Sequence, residues 1–256
     1  MTGLAHSWRA TLLIAVAAAA TAVALSIPPI PQDPAYHLFA DRRRMLGVPN
    51  ALNVLSNVGF IAVGSLGLAR VARAGVGWER LAFLVLFTSV ALTGAGSAYY
   101  HLAPSTATLF WDRLPMTVAF ASLTALTLGE RVSPRAGPWL LAGFVVIGAA
   151  SVVSWRVGES AGAGDLRPYG LVQALPIVLI PLALALFRER WLRARDLLSV
   201  LGWYALAKLF EALDAPIFAL AAIVSGHTLK HLAAATATAR LLRVVRAWRT
   251  APRARR

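Results

Sequence analysis

Apolar stretches of about twenty residues recur along nearly the whole chain, separated by short gaps that carry Arg, Gly and Pro. A helix needs roughly 20 such residues to cross a bilayer, since each adds about 1.5 Å against a hydrocarbon core about 30 Å thick. By that measure, spans fall near residues 8–28, 51–73, 80–102, 110–128, 137–154, 168–187, 197–220 and 226–245. With 58% hydrophobic and only 14% charged residues, the 256-residue chain has too little charge for a soluble surface of its size. The expected fold is all-α and polytopic: a seven-helix core bundle plus one additional N-terminal transmembrane helix or signal segment. Residues 1–35 form the N-terminal segment, 36–246 the seven-helix domain and 247–256 a basic tail. The first span, "TLLIAVAAAATAVALSIPPI", fits a cleaved signal as well as a retained helix; the retained helix is the reading adopted. The chain has no cysteine, which removes disulfides and thiolate metal sites.

A net charge of +14 raises nucleic acid as a partner. The arginines, however, sit mostly at span ends and in the tail "RVVRAWRTAPRARR", which is the pattern of membrane topology. With eight spans, the face holding both termini collects sixteen arginines and the opposite face six, Arg42, Arg43, Arg44, Arg113, Arg156 and Arg167. The positive-inside rule then puts both termini in the cytoplasm.

Under that topology, the unusual polar residues gather on one side. His101 lies at the outer end of the third span, "TGAGSAYYHLAP", with Ser97 one turn earlier. Asp112 opens the fourth span in "FWDRLP", and His227 and His231 open the last in "SGHTLKHL". Residues four apart on a helix share a face with Cβ atoms about 5–6 Å apart, so His227 and His231 can point at one ion. His101 from another helix can supply a third imidazole. Three histidines around zinc with a fourth position open form a hydrolytic arrangement, in which bound water loses its proton near pH 7. Asp112 is the candidate to orient or deprotonate that water, and Ser97 to donate to a polarised carbonyl or to the water. The small run from Gly94 to Ala98 lets neighbouring helices approach closely. The plainer readings are a helix serine bonded to backbone for Ser97 and a carboxylate at a helix start for Asp112.

In "LAKLFEALDAP", Lys208, Glu211 and Asp214 follow at successive i+3 steps. Intramembrane charges are costly unless paired, so this face points inward. A structural ion pair is the preferred reading, and Asp214 as a partner to a zinc histidine the sharper one. His6 and His37 have no partner visible from spacing, and no role is given to them.

"SAYYH", then Asp112 eleven residues beyond His101, then "HTLKH" in the last span resemble the alkaline ceramidase family, within the CREST group of seven-helix membrane hydrolases. "GDLRPYGLVQ" and "LAKLFEALDAPIF" are similar to its bacterial members. The resemblance spans about residues 36–245. It implies a zinc-dependent amidase that cuts ceramide-like lipid amides into a fatty acid and a long-chain base. Its metal ligands would be His101, His227 and His231, with Ser97 and Asp112 in the active site. The Arg-for-Lys bias (23 Arg, 2 Lys) and these bacterial-like phrases point to a bacterial inner membrane, and the topology puts the metal site towards the outer leaflet. One departure concerns calcium, which eukaryotic members hold with an acidic cluster ahead of the first core helix. Here "ADRRRMLGVPNALNVLSN" offers Asp41 as its one carboxylate, with Asn50 and Asn53, and no calcium site is expected. Two rival functions share these residues: a receptor of the progestin and adipoQ type with a structural zinc, and a transporter with Glu211 and Asp214 as proton carriers.

Overall fold

The computed structural model describes residues 2–251, with side chains from residue 7 onward. The last residues of the basic tail, with Arg253, Arg255 and Arg256, lie outside the described residues, as does the side chain of His6. The helices are α1 (Thr2–Ser26), α2 (Ala51–Leu55), α3 (Val58–Ala72), α4 (Trp78–Leu102), α5 (Thr106–Arg131), α6 (Gly137–Ser160), α7 (Arg167–Leu186), α8 (Ala194–Ala212), α9 (Asp214–Ala221) and α10 (Gly226–Thr250). A 3₁₀ turn, Pro34–His37, precedes α2. Among the described residues there is no sheet, only a lone bridge between Met45 and Val48.

Every expected span is helical, but the count of eight crossings is not reached on length and composition. Five helices are long and apolar enough to cross a membrane: Ser7–Ser26, Ala51–Ala72, Trp78–Leu102, Gly137–Ser160 and Arg167–Leu186. A sixth is reached if α9 and α10, which meet at 111°, form one broken span. These apolar helices make the protein a multi-pass membrane protein. The shortfall has a physical reason. Helix α5 carries Asp112, Arg113, Glu130 and Arg131, and α8 carries Arg195, Asp196, Lys208 and Glu211. A helix shielded by its neighbours can hold polar groups that a lipid-facing helix cannot. Helix α5 is such a helix, buried without interruption from Ala121 to Arg131.

Helices α3, α4, α5, α7, α8 and α10 surround one cavity of about 320 Å³. Helix α6 packs outside this ring against α5 and α7, and α1 lies against α7, where Leu13 is buried beside Leu179 and Ala183. Small residues set the spacing of the ring. A Cβ added to Gly94 would stand 2.7 Å from Ile61 and 2.9 Å from the Asn57 carbonyl of the α3 region. One added to Gly96 would stand 2.0 Å from the Trp111 carbonyl of α5. Pro115, inside α5, has no N–H to offer that carbonyl one turn back. The freed oxygen faces the one residue type that leaves room for it.

At the far end, the loop between α7 and α8 is fastened to α5. Glu130 accepts the backbone N–H groups of Arg190 (2.6 Å), Trp191 (2.8 Å) and Leu192 (3.2 Å) through one carboxylate oxygen. Its other oxygen pairs with Arg131 at 2.9 Å, and Arg131 donates to the carbonyls of Phe187 and Leu192. Both side chains are almost wholly buried.

Candidate metal centre

Four helix ends meet at the opposite pole. Helix α5 starts at a capping box in which Ser105 accepts from the Thr108 N–H and Thr108 returns the bond to the Ser105 N–H. This places Asp112 within the first two turns, one residue beyond the Gly96 contact. Helix α10 starts at Ser225, whose hydroxyl accepts from the Thr228 N–H at 3.2 Å. Asp214, at the head of α9, accepts the His227 N–H at 2.7 Å through one oxygen and the Ala40 N–H at 3.0 Å through the other. Gly226 permits that approach, since a Cβ there would meet the Phe210 carbonyl at 2.3 Å.

The three imidazoles converge. His101, His227 and His231 are buried, and their nearest ligand nitrogens all lie within 4.8 Å of one another. Their ring centroids are 4.8 to 4.9 Å apart. The surroundings suit a cation held by neutral nitrogen donors. The Nδ1 of His101 is buried with no hydrogen-bond partner, a costly state for a lone pair or N–H that nothing else satisfies. The Nδ1 of His231 lies 2.8 Å from the Ser56 hydroxyl, and that hydroxyl donates to the Asn53 carbonyl at 3.1 Å. With its proton so used, Ser56 accepts from His231 Nδ1–H, and Nε2 is left as the bare ligand atom. Three converging imidazole nitrogens match zinc chemistry. Replacing Ser56 with Ala is expected to weaken metal binding about 10–100-fold with the helices intact. Competition with a fluorescent zinc chelator reads that change, and unchanged affinity would remove Ser56 from the site.

Ser97 and Asp112 line the same cavity as His231, and the Ser97 hydroxyl lies beside the Asp112 carboxylate. All five residues picked out from the sequence are thus at one pole of the bundle. Other expectations need correction. Asp214 holds the backbone of His227 and does not pair with an imidazole ring. Lys208 and Glu211 do form an ion pair, but the second partner of Glu211 is Lys230 at 2.6 Å, from α10. His37 has partners after all: its ring nitrogens contact the Tyr100 hydroxyl at 2.9 Å and the Thr106 hydroxyl at 3.2 Å. It pins the segment before α2 across the ends of α4 and α5.

Spacing gave several site residues no part in the metal centre. Phe39 covers the centre, its ring 4.6 Å from His101 and 4.5 Å from His227. Asn50 donates to the His101 carbonyl at 2.8 Å, and Asn53 accepts from the Thr228 hydroxyl at 2.8 Å. Lys230 sits inside the H-x-x-x-H stretch and does carry a sequence signal, a charge one turn from His227 in an apolar span. Asp41 is occupied by Arg43, which reaches both its oxygens at 2.8 Å. That bond holds the Asp41 carboxyl below its usual range.

Fold and site define a membrane-embedded α-helical domain with a buried three-histidine candidate metal site. Residues 47–161 of the chain match the ceramidase family. The matched segment contains Ser97, His101 and Asp112 but ends before His227 and His231. No curated protein matches the chain. The family match and the histidine cluster together support a metal-dependent hydrolase.

Proposed function

We propose that the protein is a zinc-dependent intramembrane amidase that cleaves ceramide-like lipid amides to a fatty acid and a long-chain base. The reading rests on one observation above all: three imidazoles from two distant helices meet, and one of them, His231, lines a cavity with Ser97 and Asp112 whose remaining walls are largely apolar. Phe60, Leu86, Val90, Leu123, Ile180 and Leu241 line its length, a surface for an alkyl chain. A zinc ion held by three imidazoles supplies a Lewis acid and a water that ionises near neutral pH.

The residues of the chain do the rest. Asp112 accepts a proton from the attacking water, whose oxygen bonds to the acyl carbon. Ser97 donates a hydrogen bond to the carbonyl oxygen as negative charge gathers there. Asp112 returns the proton to the nitrogen as the C–N bond breaks, so that a carboxylic acid and an amine leave. Phe39 and the buried walls exclude bulk water, which strengthens each of these interactions. In this reading α2 to α10 form the seven-helix core, with α2–α3 and α9 as parts of broken or bent spans, and α1 precedes it. Both termini face the cytoplasm and the histidines face the outer leaflet of a bacterial inner membrane.

The test is direct. Purified wild-type protein is expected to hold about one zinc per chain and to release fatty acid from a lipid amide. His231→Ala is expected to lose metal and hydrolysis together, measured by elemental analysis and mass spectrometry. Full activity in a metal-free His231→Ala protein would end the proposal.

A further inference from the structure

Arg113 differs from every other charged residue around the cavity. It is 5% exposed, yet it forms no ion pair and no hydrogen bond with any described residue, and its Nη1 is buried without a partner. Its guanidinium lies over three rings instead: Trp155 at 4.4 Å, Tyr169 at 4.7 Å and Tyr36 at 5.4 Å. Aromatic faces stabilise the cation but leave its in-plane N–H donors unused. A rigid donor fork without an ion-pair or hydrogen-bond partner, its Nη1 desolvated, is a recognition element for a planar anion.

The placement says which anion. Arg113 lines the same cavity as Ser97, Asp112 and His231, and it directly follows Asp112 on α5. The charged side chains lining that cavity are Arg113, Lys208 and Lys230 against Asp112 and Glu211. Glu211 already answers both lysines. Arg113 is therefore the cation still available, beside the carboxylate proposed to carry the proton.

We infer that the cavity takes lipid amides whose polar end bears an anion, a carboxylate, sulfonate or phosphate, and that Arg113 receives it. The inference rests on the hydrolase reading above and narrows its substrate class. A neutral hydroxylated headgroup would leave the guanidinium short of charge-assisted partners. An anionic one fills them while its acyl chain follows the apolar walls.

Two probes isolate the charge. N-oleoylglycine and N-oleoylethanolamine share the acyl chain and the amide and differ in a carboxylate against a hydroxyl. Titration calorimetry in detergent, on metal-loaded and metal-stripped protein, is expected to show the glycine conjugate binding about 10-fold tighter or more. Arg113→Met is expected to erase that gap and Arg113→Lys to keep part of it. Equal affinity in the wild type, which needs no variant to fold, overturns the inference, as does a gap that survives in Arg113→Met. Oleate is the third probe. Arg113-dependent oleate binding with no preference for the glycine conjugate would mean that the guanidinium reads the fatty-acid product, and the headgroup assignment falls. Hydrolysis separates the two readings. Cleavage of both amides with equal affinity removes the anion site and leaves the hydrolase. A binding gap with cleavage of neither probe nor of an N-oleoyl long-chain base removes the hydrolase and leaves the anion site.

Discussion

Asp112→Asn is expected to lower lipid-amide hydrolysis about 10²–10⁴-fold, the usual worth of a positioned general acid–base group, while zinc content stays at the wild-type level. The asparagine keeps the size and the hydrogen-bond reach of the carboxylate but cannot take up a proton. The metal should remain, since Asp112 is not one of the three clustered ligands. Parallel measurement of turnover and bound zinc therefore separates an enzyme from a zinc-braced receptor. A protein that cleaves the amide at the wild-type rate after this change does not use Asp112 as its base. One that loses zinc with activity places Asp112 among the ligands. A wild-type protein that binds zinc tightly and cleaves no lipid amide favours the structural brace.

Glu130→Ala is expected to produce the largest loss of stability, about 3–5 kcal/mol, because it strips a buried ion pair of one partner. The change leaves the Arg131 guanidinium with only the half-exposed Glu189 carboxylate at 3.8 Å and takes the acceptor from three backbone N–H groups at once. Unsatisfied buried donors add to the cost. Glu130→Gln retains an acceptor oxygen for the loop and should cost less than Glu130→Ala. Thermal unfolding in detergent, followed by tryptophan fluorescence, gives the order. The network lies at the end of α5 away from the histidines, so metal affinity in the folded fraction should not change. If Glu130→Ala melts with the wild type, the ion pair does not fasten the α7–α8 loop.

The features legible in the sequence are those written by local spacing. Runs of apolar residues marked the helices, because span length follows from rise per residue and bilayer thickness. His227 and His231 were readable as a pair, since four residues along a helix return to the same face. His101, Ser97 and Asp112 joined them through topology alone, because alternating spans bring particular helix ends to one pole. The number of apolar crossings was overstated. The spans at α5, α8 and α10 carry charges that lower their hydropathy, and length and apolarity alone give five or six. Those charges are buried along α5 but partly exposed on α8 and α10, and Lys208 of α8 is half exposed despite the inward face expected for it. Asp214 shows the same limit in miniature. It stands at the right depth to meet a histidine ring, yet it meets the backbone N–H, because the bend between α9 and α10 presents the start of the helix to it.

By itself, the amino-acid sequence determined an all-helical membrane chain, the residues able to bind a metal and the end of the bundle where they gather. Only the tertiary structure decided that Ser56 sets the His231 ring, that Lys230 completes the Glu211 pair and that Arg113 stands unmatched in a ring of aromatics. Ser56 and His231 are 175 residues apart. Such contacts depend on how each helix is rotated about its axis and on how closely glycines let it approach its neighbour. Neither quantity has a period along the chain, so both arise only when the helices pack.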